Sequence, residues 1–137
     1  MEKFTKTLRC MVVTPEAQVV DTEVMDIVLP AHDGLLGVWP GHAPLLCKLG
    51  RGLLRYHDLH HRAHYLFIEG GFGHVRHNEV SLLTRQAFTT RQITLGEAKE
   101  QLHKAESLPK TTIEEAQART EAIQRAKYLI NLTQDSA

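Results

Sequence analysis

A change of period near residue 86 limits what this chain can fold into. From Leu8 to Thr84 the sequence is a series of apolar runs, each four to seven residues long, broken by Gly, Pro, Asp or Asn. That is the pattern of short β-strands joined by tight turns. The runs predict strands at Leu8–Val13, Ala17–Val20, Glu23–Leu29, Leu35–Trp39, Leu53–His57, Ala63–Glu69, Phe72–Arg76 and Val80–Thr84. Eight or more such strands need a sandwich or flattened barrel, because a single sheet would leave one apolar face in water. Asp33-Gly34 and His77-Asn78-Glu79 suit hairpin tips, and Gly70-Gly71 marks a sharp bend or a close approach. The two prolines of Pro40-Gly41-His42-Ala43-Pro44 exclude a helix and predict a stiff, extended crossing between strands.

After Gln86 the spacing of apolar residues lengthens to three and four, and the chain is expected to become helical. Leu95, Ala98, Leu102 and Ala105 line one stripe, and Thr94 with Glu97 reads as a capping box. Ser107-Leu108-Pro109-Lys110 ends this helix. A second begins at Thr111 or Thr112, capped with Glu114 or Glu115, and its expected stripe is Ile113, Ala116, Thr120, Ile123 and Ile130. So short a link makes the pair an antiparallel hairpin. The expected organisation is therefore a β-sandwich over residues 1–86 and a two-helix hairpin over 87–137. The stripes lean on alanine and bury little surface, so the hairpin is either a movable element or one packed permanently in place.

Composition narrows the function. The 137 residues carry 16 Lys+Arg and 16 Asp+Glu, a formal net charge of zero, which offers no basic field for nucleic acid. The run Met1–Lys6 lacks the apolar stretch of a secretory signal, and no run approaches the roughly 18 apolar residues of a membrane span. A soluble compartment is expected. Cys10 and Cys47 each sit in an apolar stretch, which suits buried thiols in a reducing cytosol rather than a disulfide.

The string Leu-Pro-Ala-His-Asp-Gly-Leu-Leu-Gly-Val-Trp-Pro-Gly-His-Ala-Pro-Leu-Leu, residues 29–46, closely resembles the signature of the ε subunit of F-type ATP synthases. Val13-Thr14-Pro15-Glu16, Leu49-Gly50-Arg51-Gly52-Leu53-Leu54-Arg55, Ile68-Glu69-Gly70-Gly71-Phe72-Gly73-His74-Val75 and Asn78-Glu79-Val80-Ser81-Leu82-Leu83-Thr84 resemble further marks of that family. The resemblance spans nearly the whole chain. It implies a sandwich of about ten strands plus the C-terminal helical hairpin, with no catalytic residues, cofactor or metal. It also implies a place on the rotating central stalk, bound to the γ subunit and to the polar loops of the membrane c-ring. The helices would reach the catalytic α and β subunits transiently and restrain ATP hydrolysis. The implied location is peripheral, on the cytoplasmic face of a bacterial plasma membrane and held there only through the complex, with the stromal face of the thylakoid as the lesser alternative.

Carried onto this sequence, the resemblance assigns c-ring contact to His32, Asp33, Gly34, Leu35 and Leu36. Many relatives place an acidic residue where this chain has Leu35, so charge pairing with a basic ring loop would fall to Asp33 alone. The alternative is a merely solvated tip. Pro40, Gly41 and His42 are either a stalk contact or a folding element. Some family members bind ATP through an Ile/Leu-Asp-x-x-Arg-Ala motif. Here Ile93-Thr94-Leu95-Gly96-Glu97-Ala98 puts Thr94 for the Asp and Glu97 for the Arg, a negative charge where phosphates need a cation. On the second helix Arg125 remains. Weak or absent ATP binding is expected.

Two other readings compete. His57, His60, His61 and His64 crowd one probable hairpin tip beside Asp58, and imidazoles at such spacing can bind zinc or nickel. A small His-rich β-barrel that binds a metal, or an enzyme built on one, is the alternative function. It needs ligands on inward strand positions, whereas these lie at a turn. A freestanding interaction module would use Trp39 and Phe72 as aromatic anchors if they are exposed.

Overall fold

The computed structural model describes residues 7–135. Ten strands come first: β1 (Leu8–Val13), β2 (Gln18–Val24), β3 (Asp26–Ala31), β4 (Gly34–Val38), β5 (Leu45–Lys48), β6 (Arg51–His57), β7 (Ala63–Glu69), β8 (Phe72–Arg76), β9 (Glu79–Leu83) and β10 (Gln86–Thr89). A 3-10 turn (Thr90–Gln92) and two helices follow, α1 (Leu95–Glu106) and α2 (Ile113–Asp135). The strands form two five-stranded sheets, ordered β2-β1-β9-β8-β5 and β10-β7-β6-β3-β4. This is the expected β-sandwich, followed by the expected two helices.

Period-two alternation builds the core. In β1 Leu8, Cys10 and Val12 are buried, and in β9 Val80 and Leu82. They meet Ile27, Leu29, Leu54, Leu66 and Ile68 of the second sheet in one apolar cluster, each such side chain worth about 1.5–3 kcal/mol when removed from water. β1 pairs parallel with β9, joining the two ends of the sandwich sequence, while the other pairings are antiparallel. Cys10 on β1 and Cys47 on β5 are separated by two intervening strands. At ~4.8 Å per strand that is about 14 Å, beyond the roughly 7 Å reach of a disulfide, and both are free thiols.

Two strands lie where none was expected. β5 has only four residues behind the prolines, and β10 covers Gln86–Thr89, a segment read as the start of helix. Ala87, Phe88 and Thr89 pair with Ile68, Phe67 and Leu66 of β7, and the Phe88 ring lies 4.9 Å from that of Phe67. The chain falls into two compact units, divided between Thr89 and Thr90. The expected division after residue 86 falls at the first residue of β10.

In the helical unit, Thr94 caps α1 by accepting from Glu97 N at 3.1 Å. Thr112 caps α2 with a full capping box: its hydroxyl accepts from Glu115 N at 3.0 Å, and Glu115 Oε1 accepts from Thr112 N at 3.1 Å. Hydrogen bonds from the hydroxyl of Thr111 and from Thr112 hold the Glu115 carboxyl below its usual pKa. The α1 stripe is as expected, with Ala98 and Ala105 buried. The α2 stripe is not. Ala126, Leu129 and Leu132 are buried, Arg125 Nη1 donates to Gln101 Oε1 of α1 at 2.9 Å, and Ile113 is 74% exposed. The packing face is thus a neighbouring stripe built on alanine and leucine, and the isoleucines are displaced from its centre.

Candidate functional site

The residues expected at the c-ring sit on the β3–β4 hairpin. Ala31 pairs with Gly34, leaving His32 and Asp33 as the two-residue tip. His32, Asp33 and Gly34 are exposed, and Leu35 is 75% exposed. Leu36 turns inward and packs against the core, as alternation requires of adjacent strand residues. The root of the tip is stitched by backbone bonds: His32 N to Lys48 O at 2.8 Å, Gly50 N to Pro30 O at 2.9 Å, Gly70 N to Gly50 O at 3.0 Å and Leu49 N to Gly71 O at 2.8 Å. A partner pressing on the tip would push against three turns at once.

Pro40, Gly41 and His42 lie at the other end of β4, about 16 Å away at ~3.3 Å per residue, so the expected residues form two sites rather than one. The loop is not the extended crossing that its prolines suggested. His42 N donates to Trp39 O at 3.1 Å, closing a tight turn with Pro40 and Gly41 at its centre, and Gly41 has φ +87°. Proline followed by glycine suits the two central positions of a type II turn, whose second needs positive φ. His42 Nδ1 donates to Ala43 O at 2.7 Å, and Gly41 N donates to Asn78 Oδ1 at 2.7 Å.

Between these ends, the outer face of the first sheet carries side chains missing from the expected site. Register aligns Val13, Leu83, Phe72 and Lys48 in one row and Met11, Ser81, His74 and Leu46 in the next. Leu46 is 70% exposed, Leu83 60% and Phe72 55%; Trp39, also exposed, has its ring against Gly37 of β4 in the other sheet. Apolar side chains grouped this way on one face mark a surface that is covered in use. The signal was in the sequence: Leu45-Leu46 and Leu82-Leu83 are leucine doublets within strands, and a strand must turn one member of each doublet outward. At the far edge of the same face Arg9 makes a two-pronged pair with Asp21, both contacts 3.0 Å, which lowers the Asp21 pKa.

The histidine-rich tip between β6 and β7 is held by carboxylates. Asp58 Oδ1 accepts from His60 N and Arg62 N at 2.8 and 3.0 Å, and Oδ2 accepts from His64 Nε2 at 2.7 Å. These bonds, that from His64 first, pull the Asp58 pKa down to about 2. His64 stacks on Tyr56 at 4.8 Å, and His57 Nδ1 donates to Asp26 Oδ1 at 2.7 Å. Among the described residues no three or more His, Cys, Asp or Glu side chains are grouped to hold a metal ion. At the degenerate ATP motif the Thr94 oxygen serves as a cap, and Glu97 adds a carboxylate to the first turn of α1.

Residues 7–90 match the family described as ATP synthase, Delta/Epsilon chain, beta-sandwich domain. The chain is 38% identical over 121 residues to the ATP synthase epsilon chain of Rhodopirellula baltica, covering 88% of this chain and 94% of that one. It is 36% identical over 123 residues to the ATP synthase epsilon chain of Nostoc punctiforme, covering 88% and 90%. Among solved structures, a chain of the Euglena gracilis mitochondrial ATP synthase superposes with a TM-score of 0.78 at 18% identity, over 98% of this chain and 84% of that one. A chain of the Tetrahymena thermophila mitochondrial ATP synthase central stalk and c-ring gives 0.66 at 15%, over 94% and 99%. At such identity the two structures speak for the fold alone.

Proposed function

The chain belongs to the epsilon chains of the ATP synthase delta/epsilon family, and from that premise we propose that it is a non-catalytic subunit of the rotor that ties γ to the c-ring. The observation that carries this reading is the apolar outer face of the first sheet. Leu46, Phe72 and Leu83 form a surface that γ would cover. The exposed tip of His32, Asp33, Gly34 and Leu35 would meet the polar loops of the c-ring, with Asp33 supplying the charge. A stiff sandwich braced by two sheets transmits torque between these contacts without storing it as bending.

The helical unit has the complementary role. The buried residues of α1 are both alanines, so docked and undocked arrangements would differ by little, and a shift of only a few kcal/mol would move it. It would reach α and β transiently and restrain ATP hydrolysis. Thr94 and Glu97 offer phosphates no cation, so ATP binds this unit weakly or not at all. The chain would sit peripherally on the cytoplasmic face of a bacterial plasma membrane, through the complex alone; no helix among the described residues is long and apolar enough to cross a membrane.

Reconstitution with α, β and γ tests this. Truncation belongs after Thr89 rather than at residue 86, because β10 pairs with β7. The full chain should bind γ, and the complex that holds it should hydrolyse ATP more slowly than the complex that holds the truncated chain. Equal rates would reject the restraint, and failure of both chains to bind γ would reject the rotor role.

A further inference from the structure

We propose that Asn78 is a positioning residue that sets the Trp39–Pro44 loop at the edge of the γ-docking face. The proposal rests on the docking reading above. Asn78 is the second residue of the two-residue turn between β8 and β9, and His77 and Asn78 have φ of 50° and 61°. A type I′ turn needs positive φ at both positions, and asparagine is among the few residues that accept it. Two acceptors on Asn78 serve other parts of the sandwich. Its carbonyl accepts from Arg9 N at 2.8 Å, and its Oδ1 accepts from Gly41 N at 2.7 Å.

The second bond matters because of where the loop runs. It leaves β4 in one sheet and enters β5 in the other. Among the described residues its other hydrogen bonds are local, from His42 N to Trp39 O and from His42 Nδ1 to Ala43 O. The turn bond uses the amide of His42, which leaves the amide of Gly41 pointing out of the turn. Asn78 takes that amide and ties the middle of the crossing to the β8–β9 hairpin, whose β8 carries Phe72. The crossing runs through Pro44 directly into β5, which carries Leu46 on the docking face, so γ meets a loop already ordered.

Glycine at 78 keeps the positive φ and deletes the acceptor, whereas aspartate keeps both the acceptor and tolerance of that φ. Full-length wild type, Asn78→Gly and Asn78→Asp are compared by amide hydrogen exchange and by affinity for γ. In Asn78→Gly the Gly41 amide should exchange faster while those of Val75 and Val80 stay protected. Affinity for γ should fall roughly two- to tenfold, the worth of one hydrogen bond. Asn78→Asp should restore both. Unchanged exchange at Gly41 in Asn78→Gly overturns the tie, and faster exchange with unchanged affinity overturns the positioning role. Should wild type not bind γ, the docking reading and the positioning role fall together, while exchange at Gly41 still decides the hydrogen bond.

Discussion

The carbonyl oxygen of Leu83 occupies the space that a side chain on Gly71 would need. Gly71 also has φ +100°, a conformation that residues with a Cβ rarely adopt. The two facts bring the β7–β8 turn against the end of β9, and the same turn braces the root of the β3–β4 tip through Leu49 N and Gly71 O.

Gly71→Ala therefore combines backbone strain with a collision against main chain that has no rotamer to change. We expect a loss of about 3 kcal/mol or more, a fall of roughly 10 °C in Tm. Thermal unfolding measures it; a change under a degree would mean that the turn relaxes freely.

Burial pushes the Cys10 thiol up to about 12, so at pH 8 it holds almost no thiolate, the reactive form. Cys47, partly exposed, is also raised by burial, but solvent reaches it. A thiol-reactive probe at pH 8 should label Cys47 in the native chain and Cys10 only on unfolding. Mass spectrometry of the labelled peptides reads the outcome, and rapid native labelling of Cys10 would contradict its place in the core.

Asp58 is held at about 2 against an ordinary value of 3.8, chiefly by the hydrogen bond from His64. The folded state thus binds the Asp58 proton less tightly than the unfolded chain. Its contribution to stability is complete above about pH 4 and disappears as the pH falls through 2. Asp58→Asn should lower Tm at pH 7, and the gap from wild type should close between pH 4 and pH 2. A gap that stays constant across that range would remove the charge from the explanation.

Much of this architecture was legible. β1, β7 and β8 have the bounds that their apolar runs predict, because alternation with a turn residue at each end admits little else. β10 was missed because Gln-Ala-Phe-Thr has only two apolar residues and no breaker behind it; its pairing is decided by β7, distant in sequence. The packing stripe of α2 was misplaced because isoleucine outweighs alanine in any count of hydrophobicity. The seam instead runs through Ala126, Leu129 and Leu132, while Ile113, the first residue of α2, is exposed. Trp39 and Phe72 illustrate a more general limit. Residue type alone does not tell a side chain that waits for a partner from one that belongs to the core, and only the register across β9, β8 and β5 put Phe72 outside.

The β3–β4 tip makes a separable prediction. Asp33→Lys reverses the charge at the exposed tip of a hairpin that belongs to the second sheet, not to the apolar face of the first. In the complete membrane enzyme it should leave γ binding intact and lower ATP-driven ion pumping per ATP hydrolysed at least severalfold. Unchanged coupling would make the tip a solvated turn.

The central claim is that γ covers the outer face of the first sheet, and affinity for γ tests it most directly. Leu46→Asp combined with Phe72→Asp places two charges on side chains that touch no core, so the sandwich should keep its Tm while affinity for γ falls at least a hundredfold. A double variant that folds and binds γ as tightly as wild type would contradict the account.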